Sequence, residues 1–365
     1  MDSKPQRVAA LDVLRGLTIA LMILVNTPGS WSHVYAPFLH ADWHGVTPTD
    51  FVFPFFVFIV GAAMAYSLRS VIANGERPIG KIIKRAGLMF LIGFILNIFP
   101  FTGDPENWRI LGVLQRIALC YLIGSLLILY LKPKLLLITC AAILLGYWGL
   151  LGSWSSDPYS LTDNIVLPFD VAVLGASHLY QGKGLAFDPE GLISTLPAIV
   201  TLLSGYLTCV LLQGISQISQ QIKTLLMGSL LMAIVGGLWH LLMPINKSLW
   251  TSSYVLICTA AAWAVLAFII WAWELRQWRF GLESMRIYGS NPLVVYVGSW
   301  LLASTLYAIS VDVDGKSISS YKAIFNALDS IFPSKLASLI FALMIVSIFY
   351  LLALVLYRKK LFVKL

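Results

Sequence analysis

Apolar residues gather in ten long runs, near 9–26, 50–68, 86–100, 110–131, 135–151, 192–214, 224–243, 249–273, 291–310 and 336–357. A helix needs about 20 mostly apolar residues to cross a bilayer, so the pattern predicts an all-α polytopic membrane protein of about ten spans. The third run is short and is expected to reach back towards Lys84 or to tilt. No soluble domain, low-complexity tract or internal repeat interrupts the series, and the whole of 1–365 is read as a single transmembrane domain. Composition agrees: 59% of the 365 residues are hydrophobic and 12% charged, where soluble domains hold roughly 25% charged residues.

Charge adds sidedness. Threading ten spans from a cytoplasmic N-terminus puts 17 of the 25 basic residues on the inner side, from Lys4 and Arg7 to Arg358, Lys359, Lys360 and Lys364. Six fall outside: Arg109, Lys183, Lys247, Lys316, Lys322 and Lys335. This bias fits the positive-inside rule with both termini cytoplasmic, and the net charge of +8 is a topology signal with no bearing on nucleic acid. The long connections at 27–49, 152–190 and 311–334 then face outward, the middle one expected to form an ordered cap. Asp12 and Arg15 break the first run and no small-x-small site follows it, so it is not expected to be a cleaved signal peptide. Cys120, Cys140, Cys209 and Cys258 sit in apolar runs without C-x-x-C spacing and read as buried small hydrophobes.

Ionisable groups inside or beside membrane helices are costly and mark functional sites. Asp12 and Arg15, three residues apart, share a helix face. Asn26 returns to nearly the same direction about 16 Å further along, making one polar stripe on the first helix. Arg116, seven residues into the fourth run, demands an anionic partner, for which Asp12, Asp50 or a bound phosphate are the candidates. His33, His40, Asp42 and His44 invite a metal reading, but Pro28, Pro37, Gly45 and Pro48 break any helix that would align them, and no metal is expected. A histidine acting as general base suits His40 better. Asp50 is placed either to cap the second helix or to orient His40, and Pro54 is expected to kink or loosen that helix. Gly289-Ser290-Asn291-Pro292 opens the ninth run after Arg286, which makes an anion site or an ordinary cap.

Several blocks together resemble the heparan-alpha-glucosaminide N-acetyltransferase family: LDVLRGLTIALMILVN (11–26), HADWHGVTPTDFVFPFFVFIVG (40–61), RILGVLQRIALCY (109–121), LGASHLY (174–180), DPEGLISTLPA (188–198), PINKSLWTSSYV (244–255) and YRKKLFVKL (357–365). The resemblance implies transfer of acetyl from cytoplasmic acetyl-CoA to the amine of a glucosamine on the far side of the membrane. It puts the family's active-site histidine on His40 and its neighbouring asparagine on Asn26, while His44 stands where the family has an asparagine. The chain also lacks the large N-terminal domain and leading helix of the lysosomal enzyme, which implies a bacterial inner-membrane protein acting on a smaller amino sugar. A homodimer is implied in the same way.

The residues fit that chemistry. Arg15, Arg116, Arg286, Asn291, Lys359 and Lys360 are the candidates for the polyanionic acetyl-CoA, whose pantetheine arm would follow the polar stripe towards Asn26 and His40. Asp170, His178, Asp188, Glu190, Asn246 and Lys247 are the candidates for gripping the acceptor. His40 would remove a proton from the amine or carry the acetyl group itself, Asn26 would bond the thioester oxyanion, and Asp50 would orient the imidazole. The competing expectations are an amino-sugar transporter, disfavoured by the missing inverted repeat, and a membrane scaffold, which leaves Arg116 and the polar stripe without a purpose.

Overall fold

Residues 9–313 and 315–363 are described by the computed structural model; Lys4, Arg7 and Lys364 of the charge balance lie outside them, as does the end of the last family block. Among the described residues, eight helices are long and apolar enough to cross a bilayer: α1 (Ala9–Asn26), α2 (Val52–Ser67, continuing a 3-10 turn at Pro48–Phe51), α5 (Val113–Tyr130), α6 (Pro133–Gly152), α8 (Thr195–Gln213), α9 (Ile218–His240), α10 (Ser252–Ile270) and α14 (Ser334–Arg358). Two more occupy the remaining predicted runs. The first, α4 (Ile79–Ile98), carries Lys81, Lys84 and Arg85 in its first two turns; the second, α12 (Pro292–Ala308), has 17 residues, about 26 Å of helix. Short helices fill the connections: α3 (Arg69–Ala73), α7 (Val166–Leu174), α11 (Leu282–Tyr288) and α13 (Ser320–Asp329).

The fold is all-α as expected, with one short hairpin among its connections. Strands β1 (Ser310–Val313) and β2 (Lys316–Ser319) form an antiparallel hairpin, Val311 opposite Ile318, in the connection after α12. Pro54 falls elsewhere than expected: it sits in the first turn of α2, where its missing N–H has no intrahelical carbonyl to lose.

Burial sorts the helices by depth. On α9 only Leu225 and Gly236 are buried, so its apolar sides face lipid, whereas α2, α8 and α10 are largely enclosed. The α2–α8 contact is close because both helices present glycine: a Cβ on Gly205 would lie 1.9 Å from the Phe58 carbonyl oxygen, and one on Gly61 would lie 1.7 Å from that of Leu202. Likewise Gly16 of α1 admits α11, a Cβ there lying 1.7 Å from the Met285 oxygen. That contact places the start of α1 beside the start of α12 and the end of α14, since Asn291 bonds both Leu361 O (3.0 Å) and Val363 N (2.9 Å). At the opposite end of the bundle the long connections meet one another. Tyr321 donates to Pro28 O (2.7 Å), Gly45 N to Ile245 O (2.8 Å) and Lys183 to Asp42 O (2.9 Å).

Candidate active site

The loop from Leu39 to Phe51 is built on one carboxylate. Asp50 Oδ2 accepts hydrogen bonds from the backbone N–H groups of Ala41 (3.0 Å) and Thr47 (2.9 Å) and from the Thr47 hydroxyl (3.1 Å). Its backbone oxygen accepts from buried Tyr254 of α10 at 2.6 Å, which ties the loop to the bundle. Asp50 is thus both the capping group of the turn into α2 and, through Oδ1, the partner of His40 Nδ1 at 2.6 Å. A carboxylate only accepts, so Nδ1 carries the hydrogen of that bond. In the neutral ring Nε2 is then left with its lone pair.

Lys247 enters the same group from the turn between α9 and α10. Its Nζ lies 3.0 Å from His40 Nδ1, 3.3 Å from Nε2 and 3.5 Å from Asp50 Oδ1. The turn is stiff: Asn246 Oδ1 accepts from Leu249 N (2.8 Å), and Trp250 N donates back to Lys247 O (3.0 Å). Burial draws Lys247 below the ordinary lysine pKa, against the opposing pull of Asp50 and Glu190.

Facing this trio is a second ionic cluster. Arg109 makes a fork on Asp188, Nε to Oδ2 at 2.8 Å and Nη2 to Oδ1 at 2.7 Å, and reaches Glu190 at 2.6 Å. Its guanidinium also sits 4.9 Å from the Tyr180 ring centre. Burial alone would lower the Arg109 pKa, yet Asp188 and Glu190 hold it well above the usual value. Such bidentate pairs fix geometry as well as charge.

Between the two clusters lies a cavity of about 350 Å³, whose walls include Asn26, His40, Asp50, Arg109, Glu190 and Lys247. A larger one of about 690 Å³ adjoins it, and the two share Met22, Asn26, Arg109 and Val113. The larger runs beside α12 from Tyr296 to Ala308, about 18 Å of helix. Its wall mixes aromatic rings with the side chains of Asn97, Ser299 and Ser304. Asn26, the exposed last residue of α1, stands where the two spaces meet.

The model of the family described as "Heparan-alpha-glucosaminide N-acetyltransferase, catalytic" matches residues 7–167. The human heparan-alpha-glucosaminide N-acetyltransferase is 27% identical over 361 aligned residues, covering 82% of this chain and 53% of that protein. The mouse enzyme of the same name is 28% identical over 362, covering 82% and 54%. Over most of its length the chain is similar to heparan-alpha-glucosaminide N-acetyltransferases. It spans about half the length of the curated relatives it matches.

The family match covers α1, the His40–Asp50 loop and Arg109, while Asp188, Glu190 and Lys247 lie beyond its end. Of the proposed acceptor residues, Glu190 and Lys247 line the smaller cavity. Asp188 backs Arg109, Asn246 braces the Lys247 turn, and His178 bonds the Trp108 carbonyl at 2.8 Å. Asp170 is buried under Gly191 and accepts from Leu192 N (3.0 Å); burial pushes its carboxyl up to about 6, against the Leu192 bond and the charge of Arg116. The loop histidines do not converge. His33 pairs with Ser30 (3.3 Å) and His44 with Asn246 (3.4 Å).

Arg15, Arg286, Asn291, Lys359 and Lys360 do collect at the other end of the bundle, around the start of α12. There Arg15 pairs with Asp12 (2.7 Å), and Arg286 is held by Glu283 and the Tyr357 hydroxyl. Asn291 spends its amide on the C-terminal segment. Arg116 is separated from them. Fully buried, it donates to Gly191 O (2.9 Å) and to the Ser194 hydroxyl, and lies 5.0 Å from the Trp250 ring centre. Its hydrogen bonds go not to Asp12, Asp50 or a phosphate but to neutral groups of the segment that carries Glu190, and its charge acts on the Asp170 carboxyl. The sequence reading missed Arg109, Tyr180 and Lys183 as cavity residues; the acidic pair at Asp188 and Glu190 was the available signal for an outward-facing arginine.

Proposed function

We propose that this chain is an acetyl-CoA-dependent N-acetyltransferase of the plasma (inner) membrane, acting on the amine of glucosamine or a related amino sugar on the extracytoplasmic side. The observation that carries the reading is the His40–Asp50 pair opening into a cavity that meets a second, longer cavity at Asn26. A two-substrate transfer needs two spaces and one shared boundary where the acetyl group changes hands. The basic inner loops support cytoplasmic termini.

In this reading acetyl-CoA approaches from the end that holds Arg15, Arg286, Lys359 and Lys360. The larger cavity begins at Tyr296, one turn (about 6 Å) beyond Pro292 at the start of α12, and in this reading it takes the thioester end of the pantetheine arm between Met22 and Asn26. The acceptor enters the smaller cavity among Glu190, Arg109 and Lys183. His40 Nε2 takes a proton as the amine nitrogen attacks the thioester carbon. Asp50 holds the ring and balances the imidazolium, and the Asn26 amide donates to the oxyanion. Collapse breaks the C–S bond, and His40 returns the proton to the leaving sulfur. General-base catalysis of this kind contributes typically 10²–10⁴-fold.

The test uses purified protein, labelled acetyl-CoA and glucosamine. Acetylated sugar is expected from the wild type and none above background from His40→Ala. Wild-type protein that binds glucosamine without acetylating it would refute the reading. A single turnover without acceptor separates direct transfer, which leaves the protein unlabelled, from an acetyl-His40 intermediate.

A further inference from the structure

Amide formation from a protonated amine removes two protons from nitrogen, one before attack and one during it. A single imidazole holds one at a time. We propose that Lys247 is the second proton acceptor of this site, receiving the proton that the acceptor ammonium must lose before its nitrogen can attack. The inference rests on the acetyltransferase reading above.

The geometry carries it. Nζ of Lys247 and Nε2 of His40 are 3.3 Å apart and line the same cavity, so one ammonium group placed there reaches both. The stiff turn from Asn246 to Trp250 holds the lysine where it is. A fifth of the side chain (19%) stays exposed, which gives the proton a way out to water. The charged groups facing Lys247 are Asp50 and Glu190, which favour its cation, and Lys183, which opposes it; His40 touches it and Arg109 lines the same cavity. Burial outweighs that balance and draws the lysine below its ordinary pKa, the direction a proton acceptor needs.

The steps balance. Neutral Lys247 takes H⁺ from R–NH3⁺, giving R–NH2 and a lysine ammonium. The free amine forms the N–C bond, the C–S bond breaks, and His40 carries the second proton from nitrogen to sulfur. Lys247 then releases its proton to bulk water. The net products are the amide, CoA thiol and one H⁺.

Lys247→Arg puts a permanent charge beside Asp50 and cannot deprotonate; Lys247→Gln is shorter and polar, without a titratable nitrogen. Two acceptors are compared, glucosamine and its N-hydroxy analogue, whose far less basic nitrogen is unprotonated at neutral pH. At pH 7 both variants are expected to lose about 100-fold in kcat/KM with glucosamine, and the loss should shrink as rising pH deprotonates the sugar. With the analogue the loss should stay below about 3-fold. Thermal midpoints close to wild type confirm that the variants fold. Equal loss with both acceptors makes Lys247 a charge or positioning group and overturns the proposal, as does unchanged glucosamine activity. Failure of the wild type to acetylate any amine would instead sink the acetyltransferase reading beneath it.

Discussion

Replacing Asp50 by Asn changes one atom and reverses one hydrogen bond. With its carbonyl oxygen placed where Oδ2 now sits, the asparagine still accepts from Ala41 N, Thr47 N and the Thr47 hydroxyl, so the loop keeps its three anchors. Its NH2 then occupies the Oδ1 position, 2.6 Å from His40 Nδ1. An amide nitrogen donates, so Nδ1 must become the acceptor and the ring hydrogen moves to Nε2, the atom required as base. The negative charge that balances the imidazolium is lost as well. Removing general-base catalysis should cost about 10²–10⁴-fold in kcat, or ~3–5 kcal/mol at 1.36 kcal/mol per tenfold. The assay is steady-state acetylation of glucosamine, with thermal midpoints and acetyl-CoA binding measured alongside. A folded variant that binds acetyl-CoA and turns over within about 3-fold of wild type would refute the role given to Asp50.

Other consequences follow from the same contacts. Asp170, with a carboxyl pKa of about 6 against an ordinary 3.8, retains a proton between those values that the unfolded chain has lost, so stability falls as pH rises through the window. Asp170→Asn should therefore match wild type near pH 4 and exceed it by up to about 3 kcal/mol at pH 7; a pH-independent offset in denaturation midpoints would contradict this. Arg109→Lys replaces a three-bond fork by a point charge and should raise the acceptor KM about 10- to 100-fold, the value of one charged hydrogen bond; an unchanged KM would remove Arg109 from the acceptor site. Gly205→Ala puts a methyl 1.9 Å from the Phe58 oxygen, forces α2 and α8 apart, and should cost ~1–3 kcal/mol or more, read as a lowered melting point in detergent.

The helices were legible because length and hydropathy are local properties, and each predicted apolar run contains a helix. The hairpin was readable too, since Asp314-Gly315 lies between alternating Val311, Val313 and Ile318, a strong turn signal, but the apolar runs on either side drew the reading towards helix and loop. Site partners were legible where they were close in sequence. His40 and Asp50 are ten residues apart in one loop. Lys247 reaches His40 across 207 positions and Arg109 reaches Asp188 across 79, distances at which no periodicity links one residue to another. Arg116 was matched to the wrong candidates: its hydrogen bonds go to a backbone carbonyl and a hydroxyl beside an indole face, and the carboxyl that feels its charge is Asp170, remote in sequence.

Acetyl transfer between substrates held on opposite faces of a membrane is the central claim, and sealed vesicles test it directly. Labelled acetyl-CoA is confined to the face bearing Arg286 and Lys359, and glucosamine is supplied only to the face bearing the His40 loop. Labelled N-acetylglucosamine is expected on the acceptor's side, and none of it with His40→Ala. Glucosamine crossing the membrane unacetylated, or product formed only when both substrates share one face, would contradict it.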